Sequence, residues 1–159
     1  NFYGEMFLKA VGRGTDRPGT AALGRQAARE TLGTWGISAD SFVMNDGSGL
    51  SRYDYVTADA IVALLKHAWQ NEKLRGPFVA ALPVSGYDGT LGSRMKNTPL
   101  AGRVQAKTGT ISNMRALSGY LVTDSGERLV FSIIANHFTA GSAAVDEVAE
   151  KMLLRLVTR

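Results

Sequence analysis

The 159-residue sequence predicts an α/β fold of the α+β type, in which helices pack on an antiparallel sheet. The first supporting observation is three apolar stretches that follow one another closely and are typical of strands: RVQAKTG, MRALSGYLVT and RLVFSIIANHF. The second is helical spacing of apolar residues, which dominates the first half and returns at the end of the chain. We therefore expect an antiparallel meander with the last helix packed on it.

The first half of the chain contains the predicted helical layer. Residues 1–11 carry apolar side chains at helical spacing, and Pro18 suits the first turn of a second helix that continues to Gly36. The segment SFVMNDGSGLSR indicates a short strand that runs into a glycine-rich loop. Thr57 is a suitable cap for a third helix, ADAIVALLKHAWQ. A short helix and a long irregular loop then precede the first strand of the meander.

The second half supplies the sheet and its covering helix. The residues 124–127, Asp-Ser-Gly-Glu, indicate a tight turn between the second and third strands. The closing segment SAAVDEVAEKMLLRLVTR predicts an amphipathic helix. Its predicted apolar stripe consists of Val145, Val148, Met152, Leu153 and Leu156.

Composition excludes several classes of protein. Apolar residues make up 45% and charged residues 20%, as in ordinary globular domains, and no apolar run is long enough to cross a membrane. The net charge of +4 is spread along the chain, which does not favour a nucleic-acid partner. The absence of cysteine excludes thiol nucleophiles and disulfides within these residues.

The segment VQAKTGTIS contains the sharpest chemical signal. Lys107 places a positive charge in an apolar strand, where it can attract a carboxylate or relay a proton. Thr108 adds a hydroxyl for the same carboxylate, and Gly109 allows a ligand close to the backbone. The N–H of Thr110 is then placed to stabilise an oxyanion. An ordinary edge-strand lysine followed by a turn would produce the same tripeptide, so its context matters.

This element resembles the Lys-Thr-Gly signature of penicillin-binding proteins and serine β-lactamases. Together with NDGSGLSRYDYVTA, LPVSGYDGTLGSRMK and the meander, it resembles class C low-molecular-mass penicillin-binding proteins, the D-alanyl-D-alanine carboxypeptidases/endopeptidases. The resemblance covers essentially the whole chain. It implies the penicillin-binding, or transpeptidase, fold, and it implies that residues 1–159 are the C-terminal part of one catalytic domain.

The resemblance also assigns the start of the chain. The family's second motif is Ser-x-Asn followed by a helix, and NFYGEMFLK is similar to that helix, so Asn1 becomes the motif asparagine that orients the substrate. The chain lacks an initiator Met, so we expect a fragment or processed chain. The nucleophilic Ser-x-x-Lys and the inserted domains would then lie upstream in the parent protein. Ser93-Arg94-Met95-Lys96 fits the Ser-x-x-Lys pattern but comes after Asn1, which is the wrong chain order.

Two loops are secondary candidates. The segment DGSGLSR carries glycines and hydroxyls that would suit a ligand, although Asp46 and Ser48 more simply hold a tight turn. The segment GYDGTLGSR borders the cleft in the family, which implies substrate contacts for Leu91 and Arg94. Neither histidine belongs to a Ser-His-Asp arrangement or a metal motif.

The resemblance implies a serine enzyme that cleaves peptidoglycan stem peptides through an acyl-enzyme and reacts with β-lactams. It implies no metal or organic cofactor, a location in the periplasm or cell wall, and the upstream part of the parent chain as partner. It is compatible with peripheral membrane association. Two alternatives stay open: a non-catalytic cell-wall module with the same fold, and a serine β-lactamase, which we rank last because we do not expect Glu72 or Glu127 to face the nucleophile.

Overall fold

The computed structural model describes residues 1–158, which form two compact units divided between Leu64 and Leu65. No helix within these residues is long and apolar enough to span a membrane. The elements in chain order are α1 (Phe2–Val11), α2 (Ala21–Thr34), β1 (Phe42–Val43), β2 (Tyr55–Val56), α3 (Ala58–Gln70), α4 (Glu72–Ala80), β3 (Val104–Ile111), β4 (Met114–Val122), β5 (Arg128–Asn136) and α5 (Ser142–Val157).

The first unit is built on the close packing of α1 against α2. Gly24 of α2 lies against the carbonyl oxygen of Leu8, where a side chain would collide with the backbone of α1. The second helix begins at Ala21, later than the predicted start at Pro18, because the Thr20 hydroxyl accepts a 3.2 Å hydrogen bond from the N–H of Leu23 and caps it there. A small core of Ile37, Phe42 and Ala60 completes the unit.

The glycine-rich loop after β1 is held by carboxylates, which confirms its predicted structural role. Asp46 accepts hydrogen bonds from the N–H groups of Gly49 at 2.7 Å and Ser51 at 2.8 Å. The Ser48 hydroxyl donates to the same carboxylate at 3.2 Å. From α1, Glu5 accepts from the N–H groups of Gly47 and Ser48, both at 3.0 Å. The loop is therefore fixed both internally and to the first helix.

A third carboxylate, Asp54, closes the base of this loop by accepting hydrogen bonds from the N–H groups of Asn45 and Asp46. Burial raises the pKa of Asp54, and the neighbouring charge of Asp46 raises it further. Burial also raises the pKa of Asp46, but the hydrogen bonds that this carboxylate accepts outweigh burial and hold its pKa below the ordinary value. The two acids thus differ in role: Asp46 is the ionised anchor, and Asp54 is the member of the pair that favours protonation.

The second unit contains the predicted antiparallel meander, with strand order β3-β4-β5. The register places Lys107 opposite Ser118 and Thr110 opposite Arg115. The predicted turn between β4 and β5 is confirmed, since the N–H of Thr123 donates to the carbonyl of Glu127 at 2.9 Å and Gly126 adopts a φ of 83°. The order of the strands makes β3 an outer strand of this sheet.

One face of the sheet carries the core of the second unit. Its members come from β3, β4, β5, α5 and the loop before β3: Leu91, Met95, Leu100, Val104, Ala106, Leu117, Leu121, Phe131, Leu153 and Val157. The prediction that the last helix packs on the sheet is confirmed. The predicted stripe was partly wrong, because Val148 and Met152 are more than half exposed, and the buried row is Ala149, Leu153 and Val157, spaced one helical turn apart.

The opposite face of the sheet packs on the end of α3. Tyr120 is fully buried, and its hydroxyl donates to the carbonyl of Leu65 at 2.7 Å. Its ring lies 5.5 Å from the Trp69 ring, and the Arg128 guanidinium covers Trp69 at 4.5 Å. The meander is therefore covered by helices on both faces, and β3 is one of its two outer strands.

The loop carboxylates generate a matched pair of predictions. We expect Asp46→Asn to lower the free energy of unfolding by about 1–3 kcal/mol, since an amide has only one acceptor oxygen for the donors of the loop. We expect Asp54→Asn to raise it at pH 7 by about 0.2–1 kcal/mol, because the amide keeps an acceptor and removes a like charge. Urea unfolding of the full-length protein measures both.

The pH dependence of the free energy of unfolding tests whether the pKa of Asp54 is raised in the folded protein. A carboxyl group whose folded-state pKa is raised contributes stability at low pH that is lost as pH rises through that pKa. The advantage of Asp54→Asn over wild type should therefore be largest at neutral pH and shrink towards pH 3. An advantage that stays constant, or an Asp46→Asn variant as stable as wild type, would contradict the assigned roles.

Candidate functional site

The outer edge of β3 is covered in its first half and open in its second. The N–H of Ser85 donates to the carbonyl of Val104 at 2.9 Å, and the N–H of Ala106 donates to the carbonyl of Pro83 at 3.0 Å. No such bridge within the second unit continues past Ala106 among the described residues. The uncovered part of the strand therefore starts at Lys107, where the Lys-Thr-Gly-Thr sequence begins.

The direction of the backbone groups follows from this pairing. In an antiparallel strand, alternate residues point their N–H and C=O groups to opposite sides. Because Ala106 donates to the outer side, Thr108 and Thr110 point their N–H groups to the same side. The N–H of Thr110, predicted to stabilise an oxyanion, thus faces the open edge.

The side chains of the motif alternate between the two faces of the sheet. Lys107 lies on the face that carries Ser118 and Tyr120, whereas Thr108 and Thr110 lie on the face that carries Leu117 and the core. The Lys107 ammonium is exposed and donates to the carbonyl of Thr108 at 2.7 Å. Lys107 and Thr108 were expected to hold one carboxylate together, but their side chains leave the strand in opposite directions.

The loop before β3 fixes the position of this edge from within the core. Ser85 is fully buried, and its hydroxyl donates to the carbonyl of Leu100 at 2.6 Å and accepts from the N–H of Val104 at 3.1 Å. Leu91 is also fully buried in the same core. The expectation that Leu91 contacts substrate is therefore corrected: it has no exposed surface, and it supports the loop by packing.

Arg94 and Thr90 lie beside the open edge. The Thr108 hydroxyl donates to the Thr90 hydroxyl at 3.0 Å. The Arg94 guanidinium, expected to contact substrate, pairs with Glu150 at 2.9 Å and with Asp146 at 3.3 Å, both on α5. Both Thr90 and Arg94 line a pocket of about 230 Å³ that also includes Thr108, Gly109 and Thr110. Arg94 is therefore near the motif, with its charge already partly paired.

The backbone around Ser93 does not fit a nucleophile motif. A Ser-x-x-Lys pair works when one helical turn brings the two side chains together at the start of a helix. Here the segment follows the short 3-10 helix Gly89–Leu91, and Met95 has a φ of 58° between Ser93 and Lys96. This left-handed residue interrupts the helical path, which agrees with the prediction that the nucleophile lies elsewhere.

Asn1 belongs to the first unit and is exposed at the N-cap position of α1. Its carbonyl accepts from the N–H of Glu5 at 3.2 Å, but its carboxamide makes no capping hydrogen bond. The side chain is therefore not used to satisfy the helix end, a role that asparagine commonly fills.

Sequence reasoning missed Ser85 and the arginine of β4, Arg115. Arg115 lies opposite Thr110 and lines the same pocket. The signal that identified Lys107, a lone charge in an apolar strand, also exists in MRALSGYLV. Its proximity to Thr110 depends on the strand register, which the sequence alone does not establish.

The fold is that of part of a penicillin-binding protein. The structure matches a crystal structure of penicillin-binding protein 4 (DacB) from Haemophilus influenzae, complexed with a β-lactam, with a TM-score of 0.88, 27% identity and coverage of 98% of this chain and 38% of that one. The model of the D-Ala-D-Ala carboxypeptidase 3 (S13) family matches residues 1–157. The chain therefore belongs to the S13 family of D-Ala-D-Ala carboxypeptidases.

Individual relatives agree with this assignment. The chain is 40% identical to a D-alanyl-D-alanine carboxypeptidase of Actinomadura sp. (strain R39), over 96% of this chain and 29% of that protein. It is 32% identical to the D-alanyl-D-alanine carboxypeptidase DacB of Haemophilus influenzae, over 79% of this chain and 26% of that protein. The chain thus spans less than a third of the length of these relatives, and the match lies in a C-terminal portion of them.

The buried serine generates a prediction about the site's support. We expect Ser85→Ala to lower the free energy of unfolding by about 2–3 kcal/mol, because the carbonyl of Leu100 and the N–H of Val104 lose their partner inside the core. The exposed Ser112→Ala is the matched control and should change stability by less than about 0.5 kcal/mol. Equal effects of the two substitutions on thermal or urea unfolding would show that Ser85 does not hold the loop.

Proposed function

We propose that this chain is part of a serine D-Ala-D-Ala carboxypeptidase/endopeptidase that acts on peptidoglycan stem peptides through an acyl-enzyme. The observation that carries the proposal is the open edge of β3 at Lys107–Thr110 in a chain of the S13 family. An extended stem peptide can lie along such an edge and pair with its backbone groups. Asn1, from the second family motif, would orient the amide of the bound peptide.

The chemical step in this proposal is acyl transfer. A serine hydroxyl attacks the carbonyl carbon of the scissile peptide bond, its proton passes to a base, and the amine of the terminal D-Ala leaves with a proton. The acyl-enzyme is then hydrolysed by water. The N–H of Thr110 would stabilise the oxyanion together with the N–H of the nucleophile, and its direction towards the open edge supports this role.

The carboxylate of the substrate would bind at Thr108. The Thr108 hydroxyl currently donates to Thr90 and can turn its proton towards a carboxylate while it accepts from Thr90. Lys107 would act on the opposite face of the strand, where its positive charge favours deprotonation of the nucleophile and its partner lysine. The separate roles of Thr108 and Lys107 follow from the alternation of side chains along β3.

The nucleophile and its base would be a Ser-x-x-Lys in the upstream part of the parent protein. The relatives support this, since each is more than three times longer than the stretch this chain matches. We place the parent enzyme outside the cytoplasmic membrane, where peptidoglycan is found. β-Lactams would acylate the same serine, because they present a carboxylate next to a strained carbonyl. Two structures are consistent with this: the β-lactam complex of penicillin-binding protein 4 and a penicillin G-acylated endopeptidase of the same fold from Bdellovibrio bacteriovorus.

A β-lactamase is the less favoured function, because it needs a deacylating base near the acyl group. Glu127 lies in the β4–β5 turn, at the end of the sheet remote from Thr110, and Glu72 is exposed at the start of α4. Neither lines the pocket at the open edge of β3. We therefore expect the β-lactam acyl-enzyme to be hydrolysed slowly, as in a penicillin-binding protein.

The test is intact-mass analysis of the full-length protein after incubation with benzylpenicillin, followed by peptide mapping. We expect one stable adduct on a serine N-terminal to Asn1 and none on Ser93. The variant Ser93→Ala is the matched control and should be acylated like wild type.

Three results would contradict the proposal in different ways. An adduct on Ser93 would overturn the assignment of the nucleophile. Rapid loss of the adduct with turnover of penicillin would favour the β-lactamase. A folded full-length protein that forms no adduct and does not cleave a D-Ala-D-Ala peptide would favour the non-catalytic cell-wall module.

A further inference from the structure

The pocket beside the β3 edge contains two cations, neither of which the proposed function has used. The pocket is lined by Thr90, Arg94, Thr108, Gly109, Thr110, Arg115, Ala116 and Asp146. It therefore combines the hydroxyls of the motif with two guanidinium groups. A guanidinium binds a carboxylate in a bidentate, charge-assisted pair, and a hydroxyl can donate one further hydrogen bond to it.

The two arginines are not equally engaged. Arg94 is paired with Glu150 at 2.9 Å and Asp146 at 3.3 Å. Among the acids of residues 1–158, Arg115 approaches only Asp146, at 3.8 Å from Nε, which is an ion-pair distance but too long for a hydrogen bond. Within the described residues, Arg115 Nε and Arg94 Nη2 are buried nitrogens that lack a hydrogen-bond acceptor. The cluster thus has donors in excess of acceptors, and Arg115 has the weaker ion pairing of the two arginines.

The strand register places Arg115 with the threonines and not with Lys107. Arg115 is the direct cross-strand neighbour of Thr110, so both side chains leave the sheet on the same face. Thr108, two residues earlier on β3, shares that face, and Lys107 lies on the other. A carboxylate held by the Thr108 hydroxyl would therefore meet Arg94 and Arg115, and not Lys107, on that side of the strand, and of these two Arg115 has the weaker ion pairing.

We propose that Arg115 is a substrate-binding residue that pairs with the carboxylate held at Thr108. Asp146 positions the Arg115 guanidinium through their ion pair, and the remaining N–H donors of the guanidinium stay available to the ligand. The inference rests on the proposed function, since it names the cation for the same carboxylate. It assigns carboxylate recognition to Thr108 and Arg115, and it leaves Lys107 to act on the nucleophile side of the strand.

The experiment compares a ligand that has the carboxylate with one that lacks it. Rates of acylation of the full-length protein are measured by mass spectrometry with benzylpenicillin and with its methyl ester. We expect Arg115→Gln to slow acylation by benzylpenicillin about ten- to a hundredfold, because a charged hydrogen bond is lost. The ester should react equally slowly with the variant and wild type, since its esterified carboxyl group cannot form the ion pair that the substitution removes.

Two further variants keep the test decisive. Arg115→Lys retains the positive charge but removes the planar set of guanidinium donors. It should lower the acylation rate by less than Arg115→Gln does, and again only with the free acid. Arg155→Gln removes one exposed positive charge from α5, away from the pocket, and should leave both rates unchanged. The ester rate also reports on folding, because a misfolded variant would lose reactivity towards both compounds.

The possible failures are distinguishable. Wild-type acylation with no effect of Arg115→Gln, or with equal losses for acid and ester in both Arg115 variants, would overturn this inference and leave the proposed function standing. Either result would indicate that Arg115 is only a member of a structural ion cluster. Failure of the wild-type protein to react with either compound would overturn the proposed function and the inference together.

Discussion

The antiparallel pairing of β3 with β4 is the constraint on which the site depends. It makes β3 an outer strand, turns the N–H groups of Thr108 and Thr110 to the open edge, and sorts the side chains of the motif by face. A shift of one residue in this register would exchange those faces and bury Lys107 in the core. The register is secured by Val104, Ala106 and Leu117, which are buried on one face, and by Tyr120 on the other.

The rigidity of the edge comes from parts of the chain that do not touch a ligand. Ser85 joins the loop to β3 by hydrogen bonds that water cannot reach, and Leu91 anchors the turn that carries Thr90. The ion pairs of Arg94 tie the same loop to α5. Preorganised donors stabilise developing charge effectively because they need no rearrangement during the reaction. Through its buried residues Ser85 and Leu91, the loop is therefore as important to the proposed chemistry as the motif itself.

The sequence predicted the strands, the terminal helix and the Lys-Thr-Gly edge, because period-two patterns and turn residues are local properties of the chain. It failed where the answer depends on tertiary packing. Leu91 was assigned to the cleft although it lies in the core, and the exposed Val148 and Met152 were assigned to the buried stripe of α5. The pairing of Arg115 with Thr110 required the register, and the capping of α2 by Thr20 required the local backbone.

The most direct test of the central claim is a crystal structure of the full-length protein acylated by benzylpenicillin. We expect the acyl carbonyl oxygen to lie about 2.7–3.1 Å from the N–H nitrogen of Thr110, at the open edge of β3. The penicillin carboxylate should lie within hydrogen-bond distance of the Thr108 hydroxyl, on the Arg115 side of the strand. An acyl group whose carbonyl points away from β3, or a carboxylate bound on the Lys107 side, would contradict the account.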